Sequence, residues 1–316
     1  MMKIGHSMSV RFQISYYQIL LKYIVFLFIS WGFFFFFSRV KLESLPSTLI
    51  ITSLGLIFLT YFTAFFGTKI NGVRRWLFLW KFGSIQPSEL LKNVLTLPVI
   101  TLLGQSKHYK VLALWGFSAI GCLLQPDLGM TILISSMFVM AIILRGENLR
   151  IYFILTIIVI LLIIFTCIFI TPYGIQRVLI FLGKEKGYQI VQSLTSISNS
   201  GMILGSMDED IYIPDAHCDF MFSAIVNRFG IIISGIFLWW PIWLSQYVLR
   251  QKTNDLIVCL LWQFNLQFYL HILSNLAIIP TKGLGLPLVS QGGSGMISFA
   301  ITFGLLSNLL QKDKEI

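Results

Sequence analysis

Long apolar runs broken by short polar stretches dominate this chain. The run IYFILTIIVILLIIFTCIFI at 151–170 carries no charged residue. At about 1.5 Å per residue, a helix of that length crosses a hydrocarbon core about 30 Å thick. Similar runs predict helices at about 17–37, 46–67, 87–104, 111–125, 128–144, 151–170, 220–247, 256–279 and 294–310. The fold class is therefore all-α, a polytopic membrane helical bundle of about nine transmembrane helices. The fourth and fifth runs can also be read as one element kinked at Gln125-Pro126. No segment shows the alternation of a membrane barrel strand.

Between the sixth and seventh runs, Thr171 to Asp219 forms a connection of 49 residues. That is far longer than an ordinary loop, which predicts an extracytoplasmic loop over 171–219 with structure of its own. In QPSEL (86–90), Pro87 suits a first helical position, and Glu89 can reach back to an unpaired backbone N–H. Glu89 and Lys92 can pair on one helix face near the membrane surface, or face a substrate. No repeat or linker divides the chain, so 1–316 reads as one integral membrane domain.

Composition excludes a soluble fold: 56% of residues are hydrophobic, only 11% are charged, and mean hydropathy is +0.83. The tail MMKIGHSMSVRFQIS lacks a small-residue cleavage site after a short apolar run, so the first run is expected to stay as a span. Cys122, Cys167 and Cys259 lie inside apolar runs and Cys218 alone in a loop, which argues against a disulfide framework. The net charge of +10 suits nucleic acid, anionic lipid or an anionic substrate. The basic residues are dispersed between spans, so nucleic acid is not an expected partner, whereas membrane lipids are. If residues 38–45 face the cytoplasm, alternation places ten Lys and Arg inside and thirteen outside, against the usual bias. Either the topology is reversed or the outer cations are kept for an anion.

Four polar stretches then share the face opposite 38–45: NGVRRW (71–76), PDLGM (126–130), the long loop ending in IPDAHCDF (213–220), and PTKGLGLPLVSQGGSG (280–295). Five of the thirteen acids, Asp208, Glu209, Asp210, Asp215 and Asp219, fall within twelve positions beside His217. Cations, carboxylates and a glycine-rich backbone at one face suit a lipid-linked phosphate whose tail stays in the bilayer. Arg74 and Arg75 precede Trp76; adjacent arginines in an extended segment point different ways, so one can hold phosphate while the other braces the loop. The alternative is an interfacial Trp76 flanked by snorkelling arginines. Arg177 and Lys282 add charge from other loops. Asp219 can act as an N-cap before FMFSAIV or as a general base. SQGGSG can permit close helix packing or offer backbone N–H groups to phosphate. Asp215, His217 and Asp219 are compact but specify no complete ligand set. No cofactor is certain, and a divalent cation would rather bridge pyrophosphate and carboxylate.

The stretches NGVRRWLFLWKFGSIQPSELLK (71–92), QPDLGMT (125–131), GYQIVQSLTSI (187–197), YIPDAHCDFMF (212–222) and PTKGLGLPLVSQGGS (280–294) resemble, in order, the signatures of the SEDS family, whose members include FtsW, RodA and SpoVE. The resemblance runs from about residue 8 to 310, and the PTKGL form is more like FtsW than RodA. It implies a peptidoglycan glycosyltransferase that polymerises lipid II at the outer face of the bacterial inner membrane, at the division septum. The implied partners are a class B penicillin-binding protein and other division proteins. Asp219 falls on the residue polymerisation depends on; Arg74, Arg75, Trp76, Arg177, Gln189, Ser193, Asp215, His217 and Lys282 form the expected substrate-binding set. The resemblance also implies ten spans, the first of which this sequence lacks. Departures are Asp215 for a glutamate, Cys218 for a threonine, Asn227 and Arg228 for two glutamates, and Glu209 for a lysine. The rival activities are a lipid-linked precursor flippase, which would not need a base at Asp219, and a catalytically impaired division scaffold.

Overall fold

The computed structural model describes residues 16–42, 46–70, 72–78, 83–146, 172–183, 187–205, 213, 215–281 and 283–311, with 157 and 161 as isolated positions. The expected span at 151–170 and the acids Asp208, Glu209 and Asp210 therefore fall outside the described residues, those two positions aside. Two helices come first, α1 (Tyr16–Arg39) and α2 (Pro46–Phe66). A small antiparallel sheet follows, with β1 (Thr68–Ile70), β2 (Val73–Phe78) and β3 (Ser84–Ile85) in that order. Next come α3 (Pro87–Val94), α4 (Thr96–Gly104), α5 (His108–Leu124) and α6 (Leu128–Leu144). The long loop holds α7 (Pro172–Phe181) and α8 (Tyr188–Ser198). The chain continues through α9 (Met221–Phe229), α10 (Ile231–Phe237), α11 (Trp240–Gln251), α12 (Asp255–Asn275) and α13 (Gly293–Gln311).

Among the described residues, five stretches are long and apolar enough to cross a membrane: Leu20–Arg39, Ser47–Phe66, Ile231–Gln251, Asp255–Asn275 and Gly293–Gln311. The helices α5 and α6 are shorter and apolar, and α3 with α4 makes one broken passage. Pro98 has no N–H to give the Val94 carbonyl, which is where that ladder lapses. The chain is a multi-pass membrane protein. The expected runs at 111–125 and 128–144 are two helices that pack on each other, as the separate reading had it, and not the one kinked element of the alternative. Asp127 makes the second start by accepting from the Met130 N–H at 3.2 Å.

The expected span at 220–247 is also divided. Gly230 has φ 84° and ψ 171°, a conformation open almost only to glycine, and it separates α9 from α10. The carbonyls of Gly201 and Met202 accept from the N–H groups of Ile231 and Ile232 at 3.1 and 2.9 Å, so the long loop supplies what the broken helix lost. A passage across the membrane begins at Ile231, and α9 stays at its end.

The inner helices are α12 and α13, with α3, α4 and α6 against them. The outer ones, α1, α2 and the α10–α11 pair, turn Phe28, Trp31, Phe58, Phe66, Ile236 and Trp243 outward, as lipid-facing side chains require. Helix α13 lies along α1 because glycines leave room: a Cβ on Gly293 would sit 2.5 Å from the Phe26 ring, and one on Gly304 2.7 Å from the Phe34 carbonyl oxygen. At the far end, Asn308 Nδ2 donates to the Phe37 and Val40 carbonyls at 3.0 and 2.7 Å. Arg145 at the end of α6 pairs with Asp255 at the start of α12 at 2.7 Å. These ties put the ends of α1, α4, α6, α11 and α13 at one face. The sheet, the start of α3 and the turn before α9 lie at the other.

Candidate active site

The site is built on a polar stripe in an apolar helix. Gln263, Gln267, His271 and Asn275 recur every fourth residue along α12, so they lie on one face, and all four are buried. Gln263 Nε2 donates to the Lys92 carbonyl at 3.1 Å, and Gln267 Nε2 to the Gly285 carbonyl at 3.1 Å. His271 Nε2 accepts from the Phe222 N–H at 3.3 Å, which leaves the proton on Nδ1 to be donated to the Leu284 carbonyl at 2.6 Å. Asn275 Nδ2 donates to the Asp219 carbonyl at 2.9 Å, while its Oδ1 accepts from the Ser223 N–H at 3.2 Å. Side-chain hydrogen bonds between membrane helices average only about 0.6 kcal/mol. The value of this stripe is placement: one helix fixes α3, α9, the glycine-rich loop and the turn that carries Asp219.

That turn, 215–220, is wound on one carbonyl. Asp215 has φ 52°, which aspartate tolerates better than most residues, and its carbonyl accepts from the N–H groups of Cys218, Asp219 and Phe220 at 2.9, 3.0 and 3.3 Å. Its carboxylate Oδ2 accepts from Gln189 Nε2 at 2.9 Å, tying the turn to α8. The glycine-rich loop clasps the other side: Gln291 N–H donates to the His217 carbonyl at 2.8 Å, and Ser290 Oγ to the Cys218 carbonyl at 2.8 Å. Cys218 is part-exposed, but its sulfur turns onto the Gln291 carbonyl at 3.0 Å. Burial, then the nearby Asp219 and Asp215, push that thiol's pKa well up, so it stays neutral. The N-cap position of α9 is Phe220, one residue past Asp219.

Asp219 lines a cavity of about 140 Å³ together with Trp76, Gln86, Glu89, Gln267 and the loop from Gly283 to Gly295. Beneath it, Lys92, 1% exposed, is paired with Glu89 at 2.7 Å, accepted by Gln267 Oε1 and held 4.9 Å from the centre of the Phe299 ring. The expected Glu89–Lys92 pair thus forms, buried, with Glu89 also on the cavity wall, and Glu89 does not cap α3. The glycine-rich stretch divides its roles: Gly293 lets α1 approach, whereas a Cβ on Gly292 or Gly295 would meet nothing within 4 Å.

Arg74 and Arg75 alternate across β2. Arg75 points inward, donating from Nε to the Gln125 carbonyl at 2.9 Å and from Nη2 to that of Pro126, with Nη1 3.9 Å from Asp127. Gln86 Nε2 meets the same aspartate at 2.6 Å. Arg74 is exposed and donates to the Phe65 carbonyl. Ser193 is buried, its hydroxyl 2.5 Å from that of Ser223 and donating to the Asn275 carbonyl at 2.9 Å. Arg177 lies on α7, and Lys282 is outside the described residues. Among the described residues, no group of three His, Cys, Asp or Glu side chains has the arrangement of a metal site.

The profile of the cell cycle protein family named for FtsW, RodA and SpoVE matches residues 2–315. The chain belongs to this family. A probable peptidoglycan glycosyltransferase FtsW of Thiomicrospira cyclica is 32% identical in an alignment 284 positions long that covers 80% of this chain and 72% of the relative. The corresponding protein of Wigglesworthia glossinidia brevipalpis is 28% identical in a gapped alignment 342 positions long that covers 98% of this chain and 87% of its own. Among solved structures, a chain of a peptidoglycan synthase complex that coordinates polymerization and crosslinking superposes with TM-score 0.76 at 21% identity, covering 94% of this chain and 91% of that one. The rod shape determining protein RodA of Thermus thermophilus gives 0.66 at 19% identity, over 93% and 88%. These two likenesses concern the fold, which is the polytopic helical one.

Within this SEDS protein, whose relatives put it on the FtsW side, the expected residues separate into groups. Asp219 and Trp76 line the cavity; Asp215 and Gln189 meet each other; Arg75 and Ser193 are spent on internal partners. Arg228 is exposed on α9. The residues that organise the site and went unnoticed in the sequence are Lys92's partner Gln267, His271 and Asn275, while Asp127 lay in the marked PDLGM stretch without a role of its own. Polar residues at a spacing of four inside an apolar run were the signal for the α12 set.

Proposed function

We propose that this chain is a peptidoglycan glycosyltransferase that polymerises lipid II during cell division, with Asp219 as general base. The observation that carries the reading is the seating of Asp219 in a cavity between the glycine-rich loop and the buried Glu89–Lys92–Gln267 cluster. A cavity of about 140 Å³ is below the roughly 300–1,000 Å³ of a site that engulfs its ligand. The reacting sugar hydroxyl therefore enters while the rest of the substrate lies along the face and the bilayer. There the Asp219 carboxylate takes the proton of the acceptor hydroxyl as its oxygen bonds to the anomeric carbon of the donor. The bond from that carbon to the pyrophosphate breaks, and the lipid pyrophosphate leaves with the electron pair. The exposed Arg74, with Arg177 and Lys282, supplies charge for the pyrophosphate. The cavity then faces outward across the cytoplasmic membrane, at the septum, beside a class B penicillin-binding protein and other division proteins.

The test is Asp219→Asn, which keeps the size of the side chain and removes the base. With purified protein, a penicillin-binding partner and labelled lipid II, polymer should fall by about a hundredfold or more, the usual contribution of a general base, at normal membrane abundance. Wild-type polymerisation by the variant would refute the base assignment, and lipid translocation without polymer by the wild type would favour the flippase.

A further inference from the structure

We infer that the end of the bundle opposite Asp219 carries a binding site for an anionic phospholipid. A second cavity, about 390 Å³, opens where the C-terminal ends of α4, α6, α11 and α13 meet the start of α12. Its walls include Leu97, Ile100, Leu256 and Leu309, and its polar rim includes Arg145 and Lys252. This volume is within the range of sites that enclose a ligand.

The charge of this end selects an anion. By sequence, the stretches that meet at this end, 38–45, 104–110, 145–150, 250–255 and 311–316, hold ten Lys and Arg against five acids, a clear cationic excess. The C-terminal helix ends here favour cations and only the N-terminus of α12, at Asn254, favours an anion, so side chains must supply most of the attraction. Asp255 Oδ2 holds Arg145 by Nε at 2.7 Å, which fixes the guanidinium plane. Its two terminal nitrogens lie beside Gly104, where a Cβ would stand 3.4 Å from Nη1. A guanidinium fixed at one edge presents a fork suited to a phosphodiester. The apolar walls decide between sources of that phosphate. A water-soluble anion gains nothing from four aliphatic side chains, whereas an acyl chain anchored beside its own headgroup uses both parts. The site itself does not depend on the proposed reaction, which determines only that the leaflet is the cytoplasmic one.

The test uses the full chain in detergent micelles, with native mass spectrometry after adding phosphatidylglycerol or phosphatidylcholine of equal chain length. Retention of phosphatidylglycerol is expected to exceed that of phosphatidylcholine by about tenfold, the scale of one charge-assisted phosphate contact. Arg145→Gln with Lys252→Gln should bring the two lipids level. Thr101→Phe, which fills the cavity and keeps both cations, should abolish retention, and it decides the matter if loss of the Asp255 pair unfolds the first variant. Equal retention of the two lipids by wild type, a preference that persists in Thr101→Phe, or full displacement by millimolar glycerol 3-phosphate would overturn the lipid assignment. Polymerisation is not the readout, so failure here leaves Asp219 untouched.

Discussion

Arg74 and Arg75 are chemically identical neighbours that the pleat of β2 sends to opposite environments. Arg75 is enclosed, and its fork spans the Gln125 and Pro126 carbonyls with Asp127 alongside. Removing one member of a buried charged set leaves the others unpaired, at about 3–5 kcal/mol. Arg75→Gln should therefore lower the thermal unfolding midpoint in detergent markedly. Arg75→Lys should not restore it, because one ammonium cannot reproduce the planar fork. Arg74→Gln should leave the midpoint within error and weaken lipid II binding instead. A lysine at 75 as stable as wild type would show that Arg75 does not brace the QPDLG segment. The sequence already separated these roles in kind, since extended backbone alternates. Which arginine faced inward was not legible, because that depends on where Gln125 and Asp127 sit fifty residues away.

At the level of elements, most helices were legible because each is an unbroken apolar run, and the misreadings fall where tertiary partners replace a helix's own hydrogen bonds. The run at 220–247 looks continuous, yet it breaks at Gly230, since Gly201 and Met202 meet the freed N–H groups of α10. The small sheet was missed although Asn-Gly at 71–72, two residues between the paired Ile70 and Val73, is a hairpin signal. It is easily passed over when every neighbour is a helix. In the candidate site, the loop motifs were conspicuous, whereas the α12 stripe was hidden by the aliphatic residues between its members. The glycines of α13 make a direct test of element packing. A Cβ at 304 would press on the backbone carbonyl of Phe34 and on Phe37 Cβ at 2.9 Å, and backbone cannot give way cheaply. Gly304→Ala should cost about 1–3 kcal/mol, the range for overpacking. Gly295→Ala, with open space around it, should change the unfolding midpoint little. Equal effects at both positions would mean that α1 does not seat on α13 as described.

For the whole molecule, the two cavities stand at opposite ends of one bundle, so the orientation of the chain decides what each can meet. Charge counting across the spans is ambiguous, because cations are abundant at both faces, and some at the Asp219 face, such as Arg75, are held for internal reasons. The loops at the other end hold five acids, Glu43, Glu147, Asp255, Asp313 and Glu315, among ten Lys and Arg, so that end is no more one-sided. The proposed reaction needs Asp219 outside and so the Arg145 end inside, although Lys and Arg, usually retained in cytoplasmic loops, number ten at the Arg145 end and thirteen at the other. Single cysteines at exposed positions test this directly in a background with the native cysteines replaced. Ser198, at the end of α8, is on the Asp219 side, and Gly146, just past α6, is on the other. A membrane-impermeant maleimide added to intact cells should label Ser198→Cys, and Gly146→Cys only after permeabilisation. Labelling of Gly146→Cys alone in intact cells would invert the molecule. It would put the proposed base on the side where no extracytoplasmic polymer could be made, and would return the lipid-translocation reading to first place.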